Sequence, residues 1–246
     1  KKVMDKRGID MVRIACKKSR EIIEELKEYL IPGISTYEIE LKSIELMKKK
    51  NVFSAFKGYR GYPANICISV NYEVVHGLPK KGKILKEGDI VSLDVGVIYN
   101  GYYGDCADTF PVGKIEVKYI KLIEVARKAF EKALKEVYSG SRTGNIGYAI
   151  EKYAKKHGFS VIKDFAGHGV GKNLHELPEI PNFGEKKKGY ILHENQIIAI
   201  EPMITEGTGE TEILEDGWTA VTKDRKYASH YENCVLVKKN GYEILS

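Results

Sequence analysis

Leu85-Lys86-Glu87-Gly88-Asp89-Ile90-Val91-Ser92-Leu93-Asp94 is answered 107 positions later by Leu192-His193-Glu194-Asn195-Gln196-Ile197-Ile198-Ala199-Ile200-Glu201. Each stretch opens on leucine, turns through Gly or Asn, continues as an apolar strand and arrives at a carboxylate. The same displacement joins Gly33, Thr36 and Ile39 to Gly140, Thr143 and Ile146. One offset held over some 60 positions marks an internal duplication. The chain therefore reads as an α+β fold of two pseudo-symmetric halves, about 1–115 and 116–246, around a shared antiparallel sheet. Together they form one domain, 1–246. The second half carries about twenty extra residues between Glu201 and Glu232, a loop that includes Gly207, Gly209 and Gly217.

Working outward, apolar residues at helical spacing over 9–30 stop at Ile31-Pro32-Gly33, and those over 117–138 stop at Ser139-Gly140. Thr36 and Thr143 read as N-caps of helices over 37–50 and 145–157. Strands are expected near 65–70, 89–97, 102–110, 196–200 and 231–237. Asn100-Gly101 is a hairpin turn between two of them. Antiparallel pairing across it is expected to bring Asp94 and Asp105 to one end of the sheet.

Composition excludes several classes. Of the 246 residues 43% are apolar and 30% charged, as in a globular protein, and the formal charge of +6 comes from dispersed lysines. The lysine runs at 48–50 and 186–188 read as solvated faces rather than a nucleic-acid footprint. No apolar run approaches the ~20 residues that span a bilayer, and no signal peptide is read at the start. Cys16, Cys67, Cys106 and Cys234 show no paired spacing, which predicts free thiols and a cytoplasmic setting. A monomer is expected.

The chemistry lies in Asp94, Asp105, His168, Glu201 and Glu232. A carboxylate ending an apolar strand is costly to bury. Two at equivalent positions of a duplicated chain would repel unless a cation sits between them. Four carboxylates and an imidazole suit a pair of divalent ions, and such a pair makes hydroxide from water. His168 is flanked by glycines in Ala166-Gly167-His168-Gly169-Val170-Gly171, where the backbone presses close to a ligand. His175 and His76 (in Val75-His76-Gly77-Leu78-Pro79) reinforce the cluster. His157 reads as a surface residue at a helix end, and His193 and His230 as exposed or outside the ligand shell. Phe53, Phe56, Tyr59 and Tyr62, with Cys67 and Trp218, are expected to wall an apolar pocket.

These motifs together resemble the type I methionine aminopeptidases of bacterial kind. The matching stretches are Gly58-Tyr59-Arg60-Gly61-Tyr62-Pro63, Cys67-Ile68-Ser69-Val70-Asn71, Val75-His76-Gly77-Leu78-Pro79, the pair Asp94 and Asp105, and Gly167-His168-Gly169-Val170-Gly171 through His175. Glu201-Pro202-Met203, Asp216-Gly217-Trp218-Thr219 and Tyr231-Glu232 complete them. Only 33 positions separate His168 from Glu201, too few for the helical insertion of type II enzymes.

The resemblance implies the pita-bread fold and removal of N-terminal methionine from peptides and nascent chains. It makes Asp94, Asp105, His168, Glu201 and Glu232 ligands of two divalent ions (Mn, Fe, Co or Zn), with Asp105 and Glu232 bridging. Asp94 would complete one site, and His168 and Glu201 the other. It implies catalytic roles for His76, His175 and Glu201, with His76 and His175 on the substrate, and a methionine pocket of Tyr59, Tyr62, Cys67 and Trp218. Phe56, Leu174 and Asn233 depart from the family pattern. The alternative is a prolidase-like or broader metalloaminopeptidase. A basic surface also suggests ribosome association.

Overall fold

The computed structural model describes residues 4–246. Helix α1 (Lys6–Leu26) starts on Asp5, whose carboxylate accepts from the Gly8 amide, and runs into a 3-10 turn at Lys27–Tyr29. Helices α2 (Thr36–Lys49), α3 (Val117–Leu134) and α4 (Thr143–Lys156) follow the helical spacing. The two threonines are not the caps. Ser35 caps α2 in a reciprocal box with Glu38, and Arg142 holds the corresponding position of α4. Thr36 Oγ1 instead accepts from the Lys80 amide at 2.9 Å, and Thr143 Oγ1 from the Tyr190 amide at 3.1 Å. Each threonine thus ties its helix start to the segment preceding a central strand.

The duplication is written in the hydrogen bonds. Gly33 N donates to Leu85 O and Gly140 N to Leu192 O, both at 2.8 Å; Leu85 N donates to Ile34 O and Leu192 N to Ser141 O, again both at 2.8 Å. The bridges Ser35–Ile84 and Arg142–Ile191 repeat the relation. Beyond the inserted loop the displacement widens to 125. Gly88 N donates to Val112 O where Asn195 N donates to Val237 O, and Val112 N to Asp89 O where Val237 N donates to Gln196 O. Gly88 and Asn195 share a left-handed turn, φ 94° and 64°.

The main sheet has nine strands: β1 (Phe53–Ser54), β2 (Cys67–Val70), β3 (Ile90–Tyr99), β4 (Tyr102–Pro111), β5 (Ala166–Gly169), β6 (Glu176–Pro181), β7 (Ile197–Ile200), β8 (Glu232–Lys238) and β9 (Gly241–Ile244). Its order is β1-β3-β4-β8-β7-β5-β6, with β2 also on β3 and β9 also on β8. The β3–β4 hairpin closes through Asn100 (φ 48°) and Gly101 (φ 78°), whose positive angles suit the strand twist. Alternation sorts the faces. Val91, Leu93, Val95 and Val97 pack under α1 and α2, and Ile198, Ile200, Val235 and Val237 under α3 and α4. Asp94, Asp105, Glu201 and Glu232 belong to the opposite set of positions.

The hairpin does not carry its two aspartates to a sheet end. Asp94 faces Ala107 and Asp105 faces Gly96, mid-strand in ten-residue arms. That places the pair in the middle of the sheet, beside the seam where β4 meets β8.

Candidate metal centre and substrate pocket

Strand register alone assembles most of the site. Cys67 pairs with Asp94, Asp94 with Ala107, and Ala107 with Glu232. Glu201 follows Ile200, the partner of Asn233, and so stands opposite Glu232 one step past the ladder. Directly paired residues project to one face. One row across four strands therefore carries three carboxylates, with Asp105 two residues off it. His168 comes in from β5.

The cluster is enclosed: Asp105 is 4% exposed, His168 7%, Glu201 9% and Glu232 1%. His168 Nδ1 lies 2.9 Å from its neighbour's carbonyl, Gly169 O, so Nδ1–H donates there and Nε2 presents its lone pair to the carboxylates. Nε2 is 3.5 Å from Glu201 Oε1 and 3.8 Å from Asp105 Oδ2. Among the described residues, the four acids find no lysine or arginine within ion-pair distance, only imidazoles. Burial pushes Asp94, Glu201 and Glu232 well above the carboxylate range, and the charge on Asp105 pushes them further. Burial raises Asp105 to about 7. Burial lowers His168 to about 4 and His175 to about 3.

These residues fit divalent cations. Asp94 Oδ1, Asp105 Oδ1, Glu232 Oε1 and His230 Nε2 are buried without a hydrogen-bond partner. Buried polar atoms are seldom left so. Two sets of ligand atoms, Asp94–His230–Glu232 and Asp105–His168–Glu232, each lie within 4.8 Å of one another. An oxygen-rich shell with imidazole nitrogen suits Mn²⁺, Fe²⁺, Co²⁺ or Zn²⁺.

Against this cluster opens a cavity of 160 Å³ lined by Phe56, Tyr59, Tyr62, Cys67, Leu174 and Trp218. Tyr62 meets Trp218 edge-on at 5.2 Å, and its hydroxyl donates to Ile66 O at 3.2 Å. Glu40 of α2, a residue the sequence reading passed over, accepts from the amides of Asn65 (2.8 Å) and Ile66 (3.3 Å) just ahead of Cys67. Phe56 fits only because residue 96 is glycine: a Cβ there would lie 2.4 Å from its ring. Phe53, by contrast, is no part of the pocket; it sits 77% exposed on edge strand β1. His175 Nδ1 is 2.8 Å from the Tyr59 hydroxyl, and its ring stands 4.2 Å from that of His168. His76 takes a left-handed conformation (φ 59°) at the end of the strand Glu73–Val75, its ring edge-on to Phe165. Such strain in a non-glycine residue is tolerated where the surroundings hold it.

Among the other histidines, His193 is exposed, and His157 caps the end of α4 against Tyr153. His230, read as exposed or outside the ligand shell, is not exposed. It is 1% exposed, and its Nε2 lies 3.6 Å from both Glu201 Oε2 and Glu232 Oε2. All four cysteines are free and buried. No helix among the described residues is long and apolar enough to cross a membrane.

A buried carboxylate–imidazole shell beside an apolar side-chain pocket defines a metal-dependent hydrolase site. Residues 10–239 match the pattern of metallopeptidase family M24, and the chain belongs to that family. It is 42% identical to a methionine aminopeptidase of Clostridium acetobutylicum over 97% of this chain and 95% of that one. It is 44% identical to methionine aminopeptidase 1 of Bacillus subtilis, over 91% and 90%. The crystal structure of the Thermotoga maritima methionine aminopeptidase superposes with a TM-score of 0.97 at 43% identity, covering 99% and 98% of the two chains. A prolidase from Pyrococcus furiosus shares the fold, with a TM-score of 0.78 at 23% identity over 99% of this chain and 64% of that one. The pita-bread architecture is thus common to both.

Proposed function

We infer that this protein is a methionine aminopeptidase: it hydrolyses the first peptide bond of chains that begin with methionine, nascent polypeptides included. It works as a single catalytic domain and a monomer in the cytoplasm. The observation that carries the reading is the 160 Å³ aromatic- and thiol-lined cavity opening directly onto the carboxylate cluster. An unbranched thioether packs well against such a wall, since polarizable sulfur favours aromatic neighbours.

Asp94, Asp105, His168, Glu201 and Glu232 would hold two divalent ions. When bound, the ions acidify a water and polarise the scissile carbonyl. The chain's own groups do the rest. Tyr59, Tyr62, Cys67 and Trp218 seat the methionine side chain and exclude water from it. His175 Nδ1 lies 2.8 Å from the Tyr59 hydroxyl; with that hydroxyl as donor, Nε2–H is left to donate to the carbonyl oxygen as negative charge develops. Glu201 takes the proton released by the attacking water and delivers it to the leaving amine. His76 hydrogen-bonds the scissile amide and fixes its orientation. The test is turnover of Met-, Leu- and Xaa-Pro-headed peptides with added Mn²⁺ or Co²⁺. Metal-dependent release of methionine alone is expected; preferential cleavage before a second-position proline would replace the reading with a prolidase.

A further inference from the structure

We propose that His230 is itself a metal ligand, its Nε2 adding to Asp94, Asp105 and Glu232 around one ion while Asp105, His168, Glu201 and Glu232 surround the other. This rests on the metallopeptidase reading but departs from the ligand set that the family resemblance implies, in which His168, on one of the two ions, is the single imidazole.

The first support is geometric. His230 Nε2 lies 3.6 Å from Glu201 Oε2 and 3.6 Å from Glu232 Oε2, longer than a hydrogen bond to either. The atom is buried and unpartnered, as are Asp94 Oδ1 and Glu232 Oε1 beside it. Two ligand atoms each about 2.1 Å from one ion at a tetrahedral angle lie about 3.4 Å apart. The spacing of His230 from Glu232, the carboxylate common to both ions, is therefore that of atoms sharing a cation.

The second is rigidity. Thr109 Oγ1 accepts from the His230 amide at 3.0 Å and donates to the His230 carbonyl at 2.8 Å. The same hydroxyl meets Ser92 Oγ at 2.8 Å. Ser92 and Thr109 sit two residues from Asp94 and Ala107 on the strands that supply the aspartates. On its other side His230 pairs with Met203, two residues from Glu201. Imidazole and carboxylates are thus held in one frame.

The third is the duplication. The displacement of 125 beyond the inserted loop, fixed by the paired hydrogen bonds of Gly88–Val112 and Asn195–Val237, sets His230 at the position that Asp105 holds in the first half. Asp94 and Glu201 are already such a pair. Both ligand positions of the ancestral hairpin are then used twice, as Asp94 and Asp105 and as Glu201 and His230. With nitrogen at each ion, both positions select Mn²⁺, Fe²⁺, Co²⁺ or Zn²⁺ over Mg²⁺ or Ca²⁺.

An anomalous-dispersion crystal structure of the Co²⁺-loaded protein decides the matter. Two ions are expected, the one near Asp94 with His230 Nε2 within about 2.2 Å. Calorimetric titration of Co²⁺ into metal-free protein should show one of two binding events weakened at least about 10-fold in His230→Gln, the other unchanged. Two ions with Nε2 more than about 3 Å from either, or two-site binding unaltered in the variant, would overturn the assignment and leave the aminopeptidase reading standing. Failure of the native protein to bind Co²⁺ would overturn both. The crystallographic arm uses the native chain and does not depend on how the variant folds.

Discussion

Stripping the metal should make stability fall as pH rises, the reverse of what paired carboxylates produce. In the unfolded chain Asp94, Asp105, Glu201 and Glu232 are all ionised above about pH 5. In the metal-free fold, burial raises Asp105 from its ordinary 3.8 to about 7, and burial together with the charge on Asp105 raises the other three well above their ordinary range. A folded state that retains protons the unfolded state has lost is most stable at low pH and loses stability as pH climbs through the folded pKa. The buried histidines have the opposite sign. His168, His175 and His230 are held at about 4, 3 and 3, so they favour the fold as pH rises, but only up to about 6.5, where the unfolded imidazole is neutral too. Above that only the acids act. Each proton retained costs about 1.4 kcal/mol per pH unit, and Asp105 alone accounts for about 4 kcal/mol between its two pKa values. For a chain of this size one retained proton lowers Tm by roughly 3–6 °C per unit. Melting followed by the single tryptophan, Trp218, is to be recorded from pH 6.5 to 8 with chelator and again with excess Mn²⁺. The metal-free Tm should drop across this window and the gap to the loaded protein should widen, because cations displace the protons. A metal-free Tm that stays flat or rises would refute the account of four acids forced together.

Two substitutions probe the pocket side. His175→Ala should lower kcat by roughly 10²–10³ while leaving bound metal unchanged, as loss of an oxyanion donor does; loss of metal, measured by elemental analysis, would instead make it a ligand. Glu40→Gln turns an acceptor of the Asn65 and Ile66 amides into a partial donor and should cost about 2–4 kcal/mol by thermal melting. Because that carboxylate holds the segment entering Cys67, KM for a methionyl peptide should rise more than kcat falls; equal effects on other N-terminal residues would deny Glu40 any part in shaping the pocket.

What the sequence made legible is what local chemistry dictates. The 107-residue echo survives because it lies in turn-forming glycines and strand-entry leucines, whose backbone demands leave few substitutes. Asp94, Glu201 and Glu232 stand out as charges in apolar runs. His230 does not, because the inserted loop shifts the register before Tyr231 and the offset no longer points to Asp105. The threonine caps failed for another reason. Ser35 has Glu38 three residues on and can form the reciprocal box, whereas Thr36 is drawn to Lys80, a partner 44 residues away that local pattern cannot disclose. Aromatic neighbours in sequence point Phe53 toward the pocket, but its strand lies at the sheet edge, where alternation turns it outward.

The seam between β4 and β8 explains why the site is where it is. Neither half alone holds the proposed ligand set: the first would supply Asp94 and Asp105, the second His168, Glu201, His230 and Glu232. The Glu232–Ala107 and Asn233–Cys106 pairings, with the Thr109–His230 hydrogen bonds, bring them together. The same pairing sets like charges against each other, so the acids oppose the junction that assembles them until cations arrive. Arg20 of α1 steadies it from outside the cluster, donating to Glu232 O at 3.2 Å and Asn233 Oδ1 at 2.8 Å while its charge is turned toward Asp108, 3.6 Å away. An arginine among the ligands would have relieved the repulsion at the expense of metal affinity. Directed at the backbone of β8 instead, it holds the strands in register and leaves the carboxylates free to be neutralised by the ions alone.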